Sequence, residues 1–210
     1  SFVGFAAGVL LTSSFIDIIP EALEAGNYEE YVYLSIFGGI VLFFLLERFM
    51  IWSHHHHDHK NIHSTTPLIL IGDSIHNAID GVAIAASFLA NPILGWQTTL
   101  AVMAHEAPHE ISDLALLIGN KLPPKKALGF NFISGLTAII GGIAGYYFLD
   151  ISEAFIPILL GFAGGMFIYI ACTDLIPEMH EDFAKNKRWS QTIPFVLGIA
   201  IAFISRMLLE

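Results

Sequence analysis

Seven long apolar stretches limit the folds open to this chain more than any other feature of its sequence. A helix needs about 20 largely apolar residues to cross the hydrocarbon core of a bilayer. The chain is 55% hydrophobic and 13% charged, whereas about a quarter of the residues in a soluble domain are charged. We therefore predict an all-α polytopic membrane protein, with residues 1–210 forming one transmembrane domain. The predicted spans cover roughly residues 2–20, 31–52, 67–90, 95–119, 126–149, 153–177 and 190–209.

The basic residues predict the orientation of these spans, because Lys and Arg concentrate in cytoplasmic loops. Eight of the nine lie around the loops after the second, fourth and sixth spans, and only Arg206 lies near the far end of the last span. These loops are predicted to be cytoplasmic, including a His-rich loop at residues 53–66. Short loops favour a bacterial or archaeal plasma membrane. The eight residues are Arg48, Lys60, Lys121, Lys125, Lys126, Lys185, Lys187 and Arg188.

The first and sixth spans share a sequence pattern. Gly4–Glu21 (GFAAGVLLTSSFIDIIPE) aligns without gaps with Gly161–Glu178 (GFAGGMFIYIACTDLIPE), and both segments end in Asp, two aliphatic residues, Pro and Glu. The two copies cross the membrane in opposite directions, which is the inverted repeat found in many transporters. The fifth span precedes the sixth but none precedes the first, so we expect an eighth helix upstream.

Two histidine motifs in adjacent spans supply candidate metal ligands. The third span carries HNAIDG, which starts at His76, and the fourth carries HEAPHE, which starts at His105. Residues four apart on a helix share a face, so His76 lies with Asp80 and His105 with His109. Two facing helices would bring these four side chains together near the midplane. Imidazole and carboxylate groups suit zinc and neighbouring divalent metals.

Further polar residues lie beside these motifs. Asn77 and Glu106, each next to a motif histidine, could form a second, harder site with Asp80 or Glu110. A charged group at the bilayer centre costs about 2.5–3.5 kcal/mol, which makes purely structural packing a poor explanation for so many. The pattern instead indicates a hydrated ion pathway. Its outer members on the two helices are Asp73 and Asp113.

The HEAPHE motif also contains HExxH, the pattern of zinc peptidases, in which Glu106 would activate water. Pro108 argues against this hypothesis because it should kink or loosen the helix, and broken membrane helices tend to line substrate paths. His76 and Asp80 could also fill the position that a catalytic zinc leaves open to water. A carrier is the first hypothesis, an intramembrane zinc metallohydrolase is the alternative, and a metal-sensing scaffold is the third.

At these motifs the chain resembles the ZIP (Zrt-/Irt-like protein) family of divalent metal transporters, and most of all the subfamily whose fifth membrane helix carries HExPHE. GDSIHN, KKALGFNFIS and the IPE endings also fit. The resemblance runs from the family's second helix to its eighth. It implies a non-enzymatic transporter with eight helices arranged 3+2+3 and both termini outside. It also implies a homodimer in which one helix bundle slides against the other and metal moves toward the cytoplasm.

The resemblance further implies a binuclear metal site between the family's fourth and fifth helices. The transported substrate would be Zn²⁺, with Cd²⁺, Fe²⁺, Mn²⁺ and Co²⁺ open, and no organic cofactor is expected. The principal ligands would be His76, Asp80, His105 and His109. The adjoining site would be shaped by Asn77, Glu106, Asp80 again and Asn131.

One position departs from the family pattern. Many relatives carry His before the ending of their second helix, and here Asp17 stands at that place. This change is expected to alter an entrance or exit ligand and the metal preference with it. We assign Asp17, its repeat counterpart Asp174, and Glu178 to the transport pathway.

The His-rich loop has two open interpretations, a metal sensor or delivery site or a solvated segment. Its histidines are His54, His55, His56, His57, His59 and His63. The predicted partners of the whole chain are divalent metal ions, the lipid bilayer and a second copy. Nucleic acid is not among them, because the acidic residues lie inside and beside apolar segments, where they suit a cation pathway.

Overall fold

The computed structural model describes residues 2–24, 28–55, 66–151, 153–186 and 189–209, and within these ranges the chain is helical apart from short turns. Two spans are interrupted by π-helical segments. The first span comprises α1 (Phe2–Thr12), a π-helical segment (Ser13–Ile18) and α2 (Ile19–Glu24). Then follow α3 (Glu29–His55), α4 (Thr66–Ala90), α5 (Pro92–Gly119), α6 (Pro124–Gly135) and α7 (Thr137–Ile151). The last elements are a 3₁₀ turn (Glu153–Phe155), α8 (Ile156–Ile170), a π-helical segment (Ala171–Leu175), α9 (Ile176–Asn186) and α10 (Thr192–Leu209).

These helices confirm an all-α polytopic membrane protein. Among the described residues, five helices are long and apolar enough to cross a membrane, and a shorter apolar helix covers Thr192–Leu208. The 28-residue α5 is not one of the five, because its polar side chains lower its hydropathy. Seven crossings, and an eighth helix upstream, remain predictions.

α4 and α5 form a tight antiparallel hairpin with only Asn91 between them. The Asn91 side chain accepts a hydrogen bond from the backbone N–H of Ile93 (2.9 Å) and so caps α5. We call the membrane end at which Asn91 lies the hairpin side. The opposite end, where α5 gives way to α6 at Lys121, is the basic side. The predicted loop between residues 91 and 95 is therefore a single residue.

Glycines bring the first and sixth spans into backbone contact with neighbouring helices in matching ways. A Cβ on Gly8 would lie 2.2 Å from the carbonyl oxygen of Phe195 in α10, and a Cβ on Gly165 would lie 2.1 Å from that of Ile36 in α3. Gly8 and Gly165 are equivalent in the sequence repeat. Small residues allow such close approach between membrane helices, so both copies pack by the same device.

The partner helices return these contacts. A Cβ on Gly198 in α10 would lie 2.4 Å from the carbonyl oxygen of Phe5, and a Cβ on Gly39 in α3 would lie 2.3 Å from that of Phe162. Phe5 and Phe162 are also repeat equivalents. The structural repeat therefore extends from the first and sixth spans to α3 and α10, where the sequences alone show little likeness.

The two π-helical segments fall at equivalent places in the repeat. In each, a backbone N–H donates to the carbonyl five residues back, from Ile19 to Ser14 and from Ile176 to Ala171. These four residues align pairwise in the sequence repeat. Each π-helical segment contains the repeat's aspartate, so the unusual backbone places a charged side chain in the same local geometry twice.

Prolines explain these wide turns. Pro20 and Pro177 follow the two segments, and a proline lacks an N–H and clashes with the carbonyl four residues earlier. A π-turn relieves that conflict by adding a residue. In contrast, α5 continues as an α-helix through Pro108, so the loosening expected there does not interrupt it. The sixth span also runs farther than predicted, because α9 extends to Asn186.

The helices associate in two groups. In the first group, α4 packs most extensively against α7 and then against α5. In the second group, α1 packs against α10 and α3 packs against α8. The groups meet where α1 contacts α5 and where α4 contacts α8. The hairpin that carries both histidine motifs thus lies against the repeat helices on two sides.

Candidate metal site

Four side chains converge between α4 and α5. His76 and Asp80 lie one turn apart on α4, and His105 and Glu106 are consecutive on α5. One ligand atom from each lies within 4.8 Å of the others. Asp80 and His105 are fully buried, and His76 and Glu106 are partly buried. The antiparallel hairpin brings the two motifs to the same depth.

The distances within this cluster match the size of a zinc site. The two Nε2 atoms of His76 and His105 are 3.3 Å apart. They lie 3.0 and 3.5 Å from Oε1 of Glu106, and 3.6 and 3.2 Å from Oδ2 of Asp80. Ligands around a tetrahedral zinc are about 3.3–3.5 Å apart, because each lies about 2.0–2.1 Å from the ion. These five separations fit one divalent ion between the four side chains.

The backbone sets the tautomer of His105. Its Nδ1 lies 3.1 Å from the carbonyl oxygen of Ala101, and because a carbonyl only accepts, Nδ1 carries the proton. In a neutral imidazole the other nitrogen then presents a lone pair. Nε2 of His105 therefore points a lone pair at Asp80 and His76, as a metal ligand does.

Asp80 has the least compensated charge in the cluster. Neither carboxylate oxygen accepts a well-directed hydrogen bond from the part of the chain that the structure describes. A buried carboxylate in a membrane interior is costly unless it is paired or binds a cation. The nearest side-chain nitrogen to Asp80 is Nε2 of His105, which lies 3.2 Å from Oδ2. The site's chemistry therefore favours an added positive ion.

A second group of carboxylates adjoins the first through a shared residue. Asp73, Glu106 and Glu110 present oxygens within 4.8 Å of one another. Asn77 donates to Oδ1 of Asp73 (2.8 Å), and Asn131 on α6 donates to Oε2 of Glu110 and to its backbone carbonyl (3.2 Å). The two asparagines thus hold the carboxylates in place, and Glu106 belongs to both groups.

His109 lies beside the four-atom cluster rather than within it. Its ring centre is 5.4 Å from that of His76 and 6.1 Å from that of His105. Its Nε2 is 3.9 Å from Oδ2 of Asp174 in the sixth span and has no hydrogen bond to the described residues. Glu106 therefore supplies the fourth ligand atom of this cluster, and His109 as a metal ligand stays a prediction.

A cavity of about 250 Å³ opens from the cluster toward the basic side. Its wall includes His76, His109 and Asp113. Glu47 and Tyr169 also line it and were not among the predicted site residues. The Tyr169 hydroxyl donates to Oε2 of Glu47. Glu47 could have been found as an ionisable residue inside a predicted span, whereas nothing in the sequence distinguishes Tyr169 from other interfacial aromatics.

Side chains of α5 lie at successive depths along the route through the protein. Residues four apart on this helix lie about one turn apart. His109 and Asp113 line the basic-side cavity, and Gln97 lines another cavity of about 210 Å³ on the hairpin side. Between them Ala101 is fully buried, and the buried ring of Phe167 packs 5.5 Å from the ring of His105. The cluster is thus open toward the basic side and closed toward the hairpin side.

The other predicted residues have different positions. Asp174 lines the basic-side cavity and Asp17 lines the hairpin-side cavity. Glu178 is exposed in the first turn of α9 and belongs to neither carboxylate group. Four histidines of the His-rich loop lie outside the described residues, namely His56, His57, His59 and His63. The side chains of His54 and His55 are also outside the described part of the structure.

Histidines and carboxylates converge between antiparallel membrane helices here, which is the ligand set of an intramembrane site for a divalent metal. The family described as ZIP Zinc transporter matches residues 1–68 and 53–206. The chain belongs to this family.

Several named relatives share more than a third of the aligned residues. Zinc transporter foi of Drosophila melanogaster is 39% identical over 132 residues, which are 63% of this chain and 18% of that protein. Metal cation symporter ZIP14 of Bos taurus is 37% identical over 140 residues, 65% of this chain and 28% of that protein. Zinc transporter ZIP10 of Danio rerio is 37% identical over 122 residues, 58% of this chain and 14% of that protein. The chain therefore spans less than a third of the length of these relatives.

Proposed function

We propose that this protein transports divalent transition-metal ions across a membrane, with Zn²⁺ as the main substrate. The observation that carries the proposal is the cluster of His76, Asp80, His105 and Glu106, whose ligand atoms are spaced as around one tetrahedral ion. Membership of the ZIP family supports it, as do the names of the relatives, which are zinc transporters and metal cation symporters.

The charge of the cluster suits a divalent ion. Two neutral imidazoles and the carboxylates of Asp80 and Glu106 together carry two negative charges, which one divalent cation neutralises. A monovalent ion would leave a net negative charge in a low-dielectric site, which is costly. Nitrogen ligands further favour zinc and its neighbours over Mg²⁺ and Ca²⁺. Cd²⁺, Fe²⁺, Mn²⁺ and Co²⁺ fit the same ligands and belong to the proposed substrate range.

Glu106 offers the ion a way out of the cluster. Because its carboxylate also faces Asp73 and Glu110, an ion can exchange its histidine ligands for oxygens while keeping Glu106. His109 and Asp174 lie next on the same side, at the wall of the open cavity. The basic residues at that end predict that it faces the cytoplasm, so the proposed direction is uptake.

Alternating access would come from relative motion of the two helix groups. The four cluster ligands all lie on α4 and α5, whereas Phe167 and Asp174 lie on the sixth span. Movement of the hairpin along the repeat helices would carry the ion past Phe167 toward the hairpin side. A homodimer and a metal role for the His-rich loop are part of the proposal. The relatives named above are animal proteins, so the bacterial or archaeal plasma membrane stays a sequence-based prediction.

Zinc flux into proteoliposomes tests this function. We expect Asp80→Ala and His105→Ala to lower the initial rate more than about 100-fold, since even changes to residues that support metal ligands cost 10–100-fold. Glu181→Ala is the matched control, because this exposed acid pairs with Lys185 at the surface of α9 and should keep full flux. Wild-type flux in the Asp80→Ala, His105→Ala double variant would overturn the assignment.

Glu106→Gln separates transport from the hydrolase alternative. A hydrolase would keep its zinc and lose peptide cleavage, because Glu106 would be its base. A transporter should cleave no peptide in either form, while Glu106→Gln changes metal affinity and rate. Zinc-dependent cleavage by the wild-type protein would contradict the transport proposal.

A further inference from the structure

The hairpin-side cavity is a polar chamber of about 210 Å³ that the metal cluster does not use. Acidic and amide side chains dominate its wall, and one basic residue joins them. The polar and charged lining residues are Asp17, Glu21, Glu24, Asn91, Gln97 and Arg206. They come from the first span, the α4–α5 hairpin and α10, so both helix groups contribute to the chamber.

Arg206 and Asp17 form an ion pair inside this chamber. Nη1 of Arg206 lies 3.9 Å from Oδ1 of Asp17, and the two side chains are 30% and 3% exposed. Arg206 is the only Lys or Arg in the sequence away from the three basic loops. A guanidinium stays charged at any physiological pH. The chamber therefore holds a permanent cation beside Asp17, its most buried carboxylate.

The chamber lies about two turns of α5 from the metal cluster, toward the hairpin side. Gln97 lines it, and Ala101 and His105 follow at intervals of four residues on α5. Gln97 and His105 are about 12 Å apart along the axis, at 1.5 Å per residue. An ion that approaches the cluster from the hairpin side through this chamber therefore passes Asp17 and Arg206 first.

We propose that Arg206 is a tethered cation that competes with incoming metal for the Asp17 carboxylate and thereby lowers the apparent affinity for metal supplied on the hairpin side. This inference rests on the proposed transport function and adds a residue that tunes it. Arg206 is not a ligand. It acts through its ion pair with Asp17 and through the electrostatic potential in the hairpin-side cavity, because a fixed positive charge lowers the local concentration of cations.

Variants at both positions test the proposal, with external Zn²⁺ as the probe ion and uptake kinetics as the readout. Arg206→Gln should lower KM for zinc by about three- to tenfold, because it removes a like charge from the approach, and should leave the maximum rate within about twofold. Arg206→Lys keeps the charge and should return KM toward the wild-type value. Arg48→Gln removes an exposed basic residue at the other end and should leave KM unchanged.

Asp17→Asn identifies the partner through which Arg206 acts. Alone it should raise KM, and in the Asp17→Asn, Arg206→Gln double variant the gain from Arg206→Gln should shrink. A purely structural role for Arg206 would instead lower the maximum rate and the melting temperature of both Arg206 variants, with no gain in affinity. That result, or an unchanged KM in Arg206→Gln, would overturn the inference. Absence of zinc flux in the wild-type protein would instead reject the transport function itself.

Discussion

Asp17 and Asp174 occupy equivalent places in the inverted repeat, yet their surroundings differ. Both lie in a π-helical segment just before a proline, and each has a carboxylate oxygen 3.9 Å from a side-chain nitrogen. The Asp17 side chain is 3% exposed and faces Arg206, whereas that of Asp174 is 38% exposed and faces His109.

The difference shows that the local motif does not decide what each aspartate does. The backbone of the two segments is alike, so the contrast comes from the helices packed against them. α10 supplies a permanent cation to Asp17, and α5 supplies an imidazole to Asp174. The aspartate at the hairpin-side cavity is therefore paired with a permanent cation, whereas the aspartate at the basic-side cavity faces an imidazole.

Cysteine labelling gives the largest expected contrast between the two positions. In a Cys172→Ser background, Asp174→Cys should react with a membrane-impermeant thiol reagent from the basic side. Asp17→Cys should react roughly tenfold more slowly or less from either side, because reactivity follows exposure. The rate of labelling followed by mass shift measures this. The background change is needed because Cys172 is itself exposed.

Adding Zn²⁺, or combining the cysteine variants with Arg206→Gln, extends the labelling experiment. Bound Zn²⁺ should protect Asp174→Cys if this wall receives the ion, and Arg206→Gln should raise the labelling rate of Asp17→Cys from the hairpin side. Equal labelling of the two single variants would mean that both ends are open to a similar degree.

Equivalent glycine contacts in the two halves of the repeat can each be disrupted by one substitution. The expected effect is smaller than the difference in cysteine labelling. Gly39→Ala and Gly198→Ala would each place a Cβ 2.3–2.4 Å from a backbone oxygen of the facing helix. Forcing such an overlap typically costs about 1–3 kcal/mol. Both variants should therefore lower the melting temperature of the purified protein by similar amounts, because the two contacts are equivalent.

Gly38→Ala is the matched control for this pair. Gly38 is the neighbour of Gly39, and a Cβ added there meets nothing within 4 Å. Its melting temperature should stay at the wild-type value or rise slightly, since Ala favours a helix over Gly. A loss in Gly38→Ala as large as in Gly39→Ala would show that helix packing is not the cause.

Much of this organisation could be predicted from the sequence, because its signals are local. Apolar length predicts membrane helices, and spacing of four predicts that His76 lies with Asp80. That rule fixes the face of one helix and not its rotation toward a neighbour. The family resemblance made His109 a principal ligand, whereas the structure brings Glu106 into the cluster and leaves His109 beside it.

Residues that join the site from distant spans were missed for the same reason. Glu47 and Tyr169 meet only because α3 packs against α8, a contact between residues far apart in the chain. The shared IPE ending did predict the repeat, but not its π-helical backbone. The equivalence of α3 and α10 has almost no sequence signal, since it depends on which glycines face a partner's carbonyl groups.

Replacing the prolines tests the smallest of these effects, the shared backbone itself. Pro20→Ala and Pro177→Ala each restore an N–H that can donate four residues back, to Ile16 or Thr173, which favours an α-turn over the π-turn. The free energy of unfolding should change by less than about 1 kcal/mol. The aspartate in each segment would, however, turn away from its cavity, so the maximum rate of zinc uptake should fall a few-fold.

Pro92→Ala is the control, because an N–H in the first turn of a helix has no intrahelical partner and its restoration changes no helical hydrogen bond. If the two repeat variants kept the control's rate, the π-helical segments would not position Asp17 and Asp174 for transport.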